Sequence, residues 1–509
     1  MAEMEKHNEQ DNAGSVQSSL SPAEAAAPAS DSGAKRRIIS VQDGVVAAGF
    51  AITIGLLACV AWLASSSVTS PVQAPAVADR ESSPKEELQT SSISVDATRG
   101  NKDSQPPVAP LFSVVVLPFA NLSKEQTQAW YTDGITREMT ANLSRVPGSV
   151  VIAPTTAFTY KQKPVAVKQI GHDLDARYAL QGSVGRDGDQ VRIELQLVDA
   201  ETEATVWKEA FETNRAQLPE LEDRITDQLA QTLHLELPGL QPDRRRAANP
   251  EGQELIMIGW SWYHRPYSTT TWQQAREAFE RALKVTAAID ARVGLAMILG
   301  GRLAEGWSIA GQQDSARAER LLRVALDRDP NHATAHFAMG VLRQMQNRLT
   351  EARLEYETAI TLDPSSASAL YQLGVALMFL GQPDAGLLHI EKAIRLDPHN
   401  PNIATRYWAL GTCHLLLGHV EEAIGFLQRA RVANSRLWFP HLYLAGALGL
   451  EGELDQARTA LIEALKREPA ISSISRMRSH NAWIGNPQHW ALQAETLNVG
   501  LRRAGFPDN

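Results

Sequence analysis

Apolar positions fall along this chain in four textures. Residues 1–34 show no apolar period and are rich in Ser, Ala, Glu, Asn and Gln, which predicts a disordered tail. Behind Lys35-Arg36-Arg37 stands VVAAGFAITIGLLACVAWLA, Val45 to Ala64, 20 residues without a charge. At about 1.5 Å per residue this run is about 30 Å long, the thickness of a bilayer core, and it predicts a single transmembrane helix. Residues 65–110 return to Ser, Pro, Thr, Val and Gln with neither helical nor alternating period, the pattern of a disordered linker.

From Phe112 the pattern is that of a folded α/β domain. FSVVVLPFANL reads as a buried strand stopped by Pro118, and Ile135, Met139 and Leu143 recur at four-residue spacing in a helix predicted over Ala129 to Val146. A strand at Val150 to Ala153 and a helix near Val165 to Leu174 follow. Three strands are then predicted, around Tyr178 to Gly185, Val191 to Val198 and Thr205 to Phe211, and a helix from about Leu218 to Leu235. In the second strand Val191, Ile193, Leu195 and Leu197 alternate with Arg192, Glu194 and Gln196, so one face is buried and one is wet. Arg186-Asp187-Gly188-Asp189 supplies a hairpin turn in which Gly188 takes positive φ cheaply.

The blocks VVVLPFANLS, YTDGITREMTANLSRV, VIAPTTAFTYK, ARYALQGSVGR and VRIELQLVDAET, in this order, resemble the TolB amino-terminal-type domain. That resemblance covers residues 111–237. It implies a bacterial protein, since such domains stand beside adenylate cyclase catalytic domains or CadC-like winged helices and precede TPR repeats. Glu203 departs from the pattern, because the family usually has Gly there, and the turn that carries it is expected to differ.

Residues 237–250 form a Pro- and Arg-rich connector, and beyond it the chain repeats. Asp329-Pro330, Asp363-Pro364 and Asp397-Pro398 step by 34 residues, as do Ala325, Ala359 and Ala393, and Gly306, Gly340 and Gly374. A period of 34 with these small residues resembles the TPR signature, in which Ala and Gly let paired helices approach and Pro ends each unit. Units are predicted to begin near Leu299, Ala333, Ala367, Ala404 and Trp438, preceded by a degenerate unit carrying Ala275, Phe279 and Ala282. Residues 251–470 are thus read as an all-α TPR solenoid of about six units, and residues 471–509 as a capping segment.

In the usual TPR geometry the fifth residue of each unit faces the inner groove. Here that ladder is Leu303, Phe337, Tyr371, Trp408 and Leu442, and the ninth positions add Trp307, Val341, Val375 and Thr412. The candidate groove for an extended or helical peptide is taken as Trp307, Phe337, Val341, Tyr371, Val375 and Trp408. No Lys/Asn/Arg set occupies these positions, so a carboxylate clamp is not expected.

Composition sharpens this picture at a few points. The 509 residues are 44% hydrophobic and 21% charged with net charge −9, and no basic stripe suggests nucleic acid. The basic cluster precedes the apolar run, so the positive-inside rule puts the N-terminus in the cytoplasm and the folded domains in the periplasm, anchored in the inner membrane. A cleaved signal peptide is the rival, but it would carry a shorter apolar core. Leu56-Leu57-Ala58-Cys59 looks like a lipoprotein acylation box, yet the apolar run continues through Val60-Ala61-Trp62-Leu63, which favours a retained anchor.

Candidate chemistry is sparse. His332 and His336 are four apart, a ligand spacing without a visible third ligand, and His172-Asp173 sit on a helix expected to be solvated. No P-loop, HExxH, GxSxG or CxxC occurs, and no cofactor or metal is expected. The reading is a membrane-anchored, non-catalytic scaffold or sensor that binds protein partners in its TPR groove. The alternative is a component of adenylate cyclase-type signalling without a catalytic domain of its own.

Overall fold

The computed structural model describes residues 112–123, 129–233, 249–265, 268–304, 311–481 and 484–509. The predicted tail, anchor and linker (1–110) lie outside the described residues, as does Trp307. Among the described residues no helix is long and apolar enough to cross a membrane.

The first unit begins with β1 (Phe112–Val116), all five residues buried as the apolar run predicted. There follow β2 (Ala120–Asn121), α1 (Ala129–Ser144), β3 (Ser149–Val151), α2 (Pro154–Ala157), α3 (Val167–Leu174), β4 (Tyr178–Asp187), β5 (Gln190–Asp199), β6 (Thr205–Asn214) and α4 (Leu218–Thr232). The sheet order is β3-β1-β4-β5-β6, with β2 beside β4. β1 runs parallel to β3 and β4, and the β4–β5–β6 meander is antiparallel.

One face of the sheet carries Val114, Val116, Leu180, Val184, Ile193 and Leu195 against Ile135 and Met139 of α1 and Leu221 and Ile225 of α4. A fully buried aliphatic side chain of this kind contributes roughly 2 kcal/mol by removal from water. Among the described residues the other face is covered only near β1, where Val115 and Ala179 meet Ile152, Ile170 and Leu174. Gly188 takes φ 61° in its turn, and Glu203, the predicted point of departure, adopts φ 58°. The Glu side chain therefore occupies the left-handed conformation that a Gly would reach without strain.

The second unit is a solenoid of six helix hairpins among the described residues: α5 (Pro250–Tyr263) with α6 (Thr269–Val285), α7 (Ile289–Ala304) with α8 (Gly311–Arg328), and α9 (Ala333–Met345) with α10 (Leu349–Leu362). Then come α11 (Ala367–Phe379) with α12 (Pro383–Leu396), α13 (Ile403–Leu416) with α14 (Val420–Ala433), and α15 (Trp438–Glu451) with α16 (Leu454–Arg467). The first helix of each pair is termed helix A and the second helix B. The periodic Ala325, Ala359 and Ala393 are buried on successive B helices, and a Cβ on Gly374 would meet the Gly386 carbonyl across an A–B contact. Asp363 and Asp397 close α10 and α12 ahead of their prolines.

One predicted boundary is corrected. The unit placed at Leu299 has an A helix that begins at Ile289. Val293, Leu295, Ala296, Ile298 and Leu299 are all buried, so no polar break marks the helix start in the sequence. The closing segment holds α17 (Ile474–His480), α18 (Pro487–Glu495) and α19 (Leu497–Arg503).

Candidate functional site

The ladder read from the repeats divides into buried and half-buried members. Phe337 on α9 is half-buried, its ring centroid 6.1 Å from that of Tyr356, and Val341 one turn on is also half-buried. Tyr371 is half-buried, with the Arg406 guanidinium 5.7 Å from its ring centroid. Val375 is 1% exposed and Trp408 4%, and Thr412 and Leu442 are fully buried. Trp408 is enclosed by Phe439 at 4.8 Å and Tyr443 at 5.6 Å between ring centroids, both edge-on. Trp307 lies outside the described residues, three past the end of α7, and nothing is described of the Leu303 side chain.

Trp408 and Leu442 belong to the core that the closing segment completes. That segment does not stack on α16 as a seventh hairpin would. It returns along the A helices. Gly446 and Gly449 of α15 face Leu497 and Gly500 of α19, and a Cβ on Gly449 or Gly500 would overlap the other helix's backbone. In α18, the His489 ring meets Phe379 edge-on at 5.5 Å, at the C-terminal end of α11 two hairpins back.

The hydrogen bonds at that point fix the tautomer. His489 Nδ1 lies 3.0 Å from the Met378 carbonyl, which can only accept, so Nδ1 carries the proton. Nε2 then accepts from the Gln493 amide nitrogen at 3.0 Å, and the same amide nitrogen donates to the Tyr443 hydroxyl at 3.1 Å. Burial holds the His489 pKa down at about 4. The segment therefore bridges α11 and α15 over α13 with a neutral imidazole at its far end.

The α/β domain holds the A helices at a second place. β3 is an edge strand, and two N–H groups beside its free edge are satisfied by the solenoid: Val151 donates to Ser365 Oγ at 3.1 Å and Ala153 to the Leu396 carbonyl at 2.8 Å. Thr155 and Thr156 hydroxyls donate to one carboxylate oxygen of Asp397 at 2.6 and 2.8 Å. The other oxygen takes Arg406 Nη2 at 3.1 Å, with both residues of the pair at most 3% exposed. Burial pushes the Asp363 carboxyl upward, opposed by hydrogen bonds from Ser365 N–H and the Ser144 hydroxyl. Two of the three periodic Asp-Pro corners are thus landing points for the domain, a role their spacing did not announce.

A third contact joins the domain to α5. Glu254 pairs with Arg186 at 2.7 Å and Arg215 at 2.8 Å. Beside it Tyr131, Gly134, Glu222 and Met257 line a cavity of about 30 Å³, room for one water molecule. Among the described residues the Tyr131 hydroxyl has no hydrogen-bond partner there, and burial raises its pKa.

The histidine pair is committed to structure. His332 Nδ1 accepts from Ala335 N–H as a helix cap at 3.2 Å and its Nε2 contacts Asp290 at 3.0 Å. His336 lies 2.7 Å from Glu355 and 2.8 Å from the Pro330 carbonyl. Among the described residues no group of three His, Cys, Asp or Glu is placed to hold a metal ion. His172 is exposed on α3, 3.7 Å from Asp173, as a solvated helix face would have it. Cys413 is a buried free thiol whose pKa burial raises.

Comparison with known proteins gives both units a family likeness. Residues 111–228 match the family described as HilA/YgeH-like transcriptional regulator, second domain. This is a HilA-like domain, and the TolB amino-terminal name suggested by the motifs is not borne out. Residues 365–431 match the tetratricopeptide repeat and residues 345–381 a TPR repeat, so the hairpins within 345–431 are TPR units. A Rhizobium meliloti (strain 1021) protein named "Putative adenylate cyclase 3" is 29% identical over 244 residues, 47% of this chain and 41% of its own length. The chain thus spans less than half of that curated relative. Among solved structures, Pseudomonas aeruginosa pilF is 17% identical over 48% of this chain and 98% of its own, with TM-score 0.36. YrrB, titled a TPR protein with an unusual peptide-binding site, is 21% identical over 36% of this chain and 92% of its own, with TM-score 0.27.

Proposed function

We propose that this protein is a membrane-anchored, non-catalytic scaffold that holds protein partners on the A-helix face of its TPR solenoid, with its folded units in the periplasm. The observation that carries the reading is the half-buried pair Phe337 and Val341 on α9, set between the α/β domain's contact at Glu254 of α5 and its contacts around Asp363 and Asp397, with half-buried Tyr371 at the border where Val150 and Ala153 pack. Apolar side chains left partly open between fixed borders suit a short peptide segment better than a small molecule. The uncharged run Val45 to Ala64 and the basic cluster before it support the anchor and its orientation. The relative's name, a putative adenylate cyclase, supports a place within a signalling assembly of the adenylate cyclase type.

The test is capture from native membranes by the full chain and by a Phe337→Ala/Tyr371→Ala variant. The variant should stay folded by circular dichroism and lose a partner that the parent retains. An identical set of captured proteins would contradict the groove. Conversion of ATP to cyclic AMP by the purified full chain would contradict the non-catalytic reading. Alkaline phosphatase fused after Asn509 should be active if the folded units are periplasmic, and an inactive fusion would overturn that orientation.

A further inference from the structure

The two edges of the sheet in the α/β domain are treated differently. The β3 edge is covered by the solenoid, through Val151 and Ala153 as described. The β6 edge is ten residues long, and among the described residues no strand pairs with its outer side. An open strand of that length is a template for another strand unless something blocks or uses it.

The hydrogen-bond parity of β6 is fixed at its end. Arg215 N–H donates to the Asp189 carbonyl at 2.8 Å, one step beyond the Asn214–Gln190 pair. Bonded pairs alternate in an antiparallel ladder, so the odd residues of this stretch bond β5, while Lys208, Ala210, Glu212 and Asn214 turn their amides and carbonyls outward. The side chains of Lys208, Ala210 and Glu212 are also exposed, on the sheet face that α3 covers only near β1. Edge and side chains therefore present one strip, with a cation and an anion placed two residues either side of an alanine.

We propose that β6 pairs antiparallel with β6 of a second copy of this chain about a two-fold axis at Ala210, joining two sheets into one. In that register Lys208 of each copy lies opposite Glu212 of the other, twice over. Centring the axis on residue 208 or 212 instead would set like charges opposite each other, which is unfavourable. At the axis Ala210 carries a single methyl, so the strands close without a steric conflict. Charges on an edge normally keep foreign strands away; here their arrangement makes β6 complementary to itself. Glu212 now reaches Arg192 only at 3.9 Å, which leaves its carboxylate available to a nearer partner.

The test uses the full chain in detergent with Cys59→Ser, since Cys413 is buried. The register places the two Ala210 Cβ atoms about 5 Å apart and the two Val206 Cβ atoms roughly 27 Å apart. A210C should give a covalent dimer with a short bis-maleimide, and V206C should not. By light scattering the parent should be a dimer, K208E and E212K should each weaken it about tenfold or more, and the K208E/E212K double variant should recover it. Four results would overturn the proposal: a monomeric parent, equal crosslinking at both positions, a dimer indifferent to the charge changes, or A210C adducts with a different protein.

Discussion

His489 shows how one residue ties the closing segment to the solenoid. Its ring is fully buried and neutral, donating to Met378 and accepting from Gln493. With a pKa of about 4 in place and an ordinary value of 6.5 when released, the released segment binds a proton that the packed one does not. Stability from this residue is complete above pH 6.5 and is lost as pH falls toward 4, by about 3 kcal/mol in all. Protection of the amides of residues 487–503, measured against intrinsic exchange at each pH, should therefore fall between pH 7 and 4.5 while that of α12 changes little; equal protection at both pH values would contradict this. Glu203 offers the opposite kind of test. Its φ of 58° strains any residue with a Cβ, so Glu203→Gly should raise the stability of the α/β domain by up to about 1 kcal/mol in urea. A loss of stability would show that the side chain has a role beyond the turn.

At the scale of elements, the crossing of α15 and α19 depends on glycine backbones meeting directly. Gly500→Leu should force α19 off α15, with a protease cutting within residues 487–503, whereas Gly425→Leu, at an open site on α14, should have no such effect. The buried Asp397–Arg406 pair does similar service between units. Asp397→Ala leaves a buried guanidinium unpaired and should cost about 3–5 kcal/mol, splitting the thermal unfolding of the two units into separate transitions. The elements themselves were legible in the sequence, because alternation in Val191 to Leu197 and the 34-residue step of Ala and Asp-Pro are local patterns. What those elements touch was not. Trp408 is closed off by Phe439 and Tyr443 of the next A helix, and Tyr443 is held in turn by Gln493 of the closing segment, while Asp397 gains its hydroxyl partners from Thr155 and Thr156, 242 and 241 residues away. Short polar side chains at such contacts carry no period. A hint did exist: Gly446, Gly449 and Gly500 are close-approach residues in helices, and glycine inside a helix costs about 1 kcal/mol unless packing requires it.

Across the whole molecule, the A-helix face has two tenants from the chain itself: the α/β domain, at Glu254 of α5 and again around Asp363 and Asp397, and the closing segment from α11 to α15; on α9, between the two contacts of the domain, Phe337 and Val341 are not fully buried. A scaffold of this kind grips its partner where its own chain leaves room. The measurement that bears most directly on this is photo-crosslinking in native membranes, with a benzophenone amino acid at Phe337 of the full chain and, as control, at Leu454 on the B-helix side. Position 337 should yield a defined protein adduct, more of it when Gly500→Leu releases the closing segment, and position 454 should yield none. The absence of any adduct at 337 with or without that release, or equal adducts at both positions, would contradict the account.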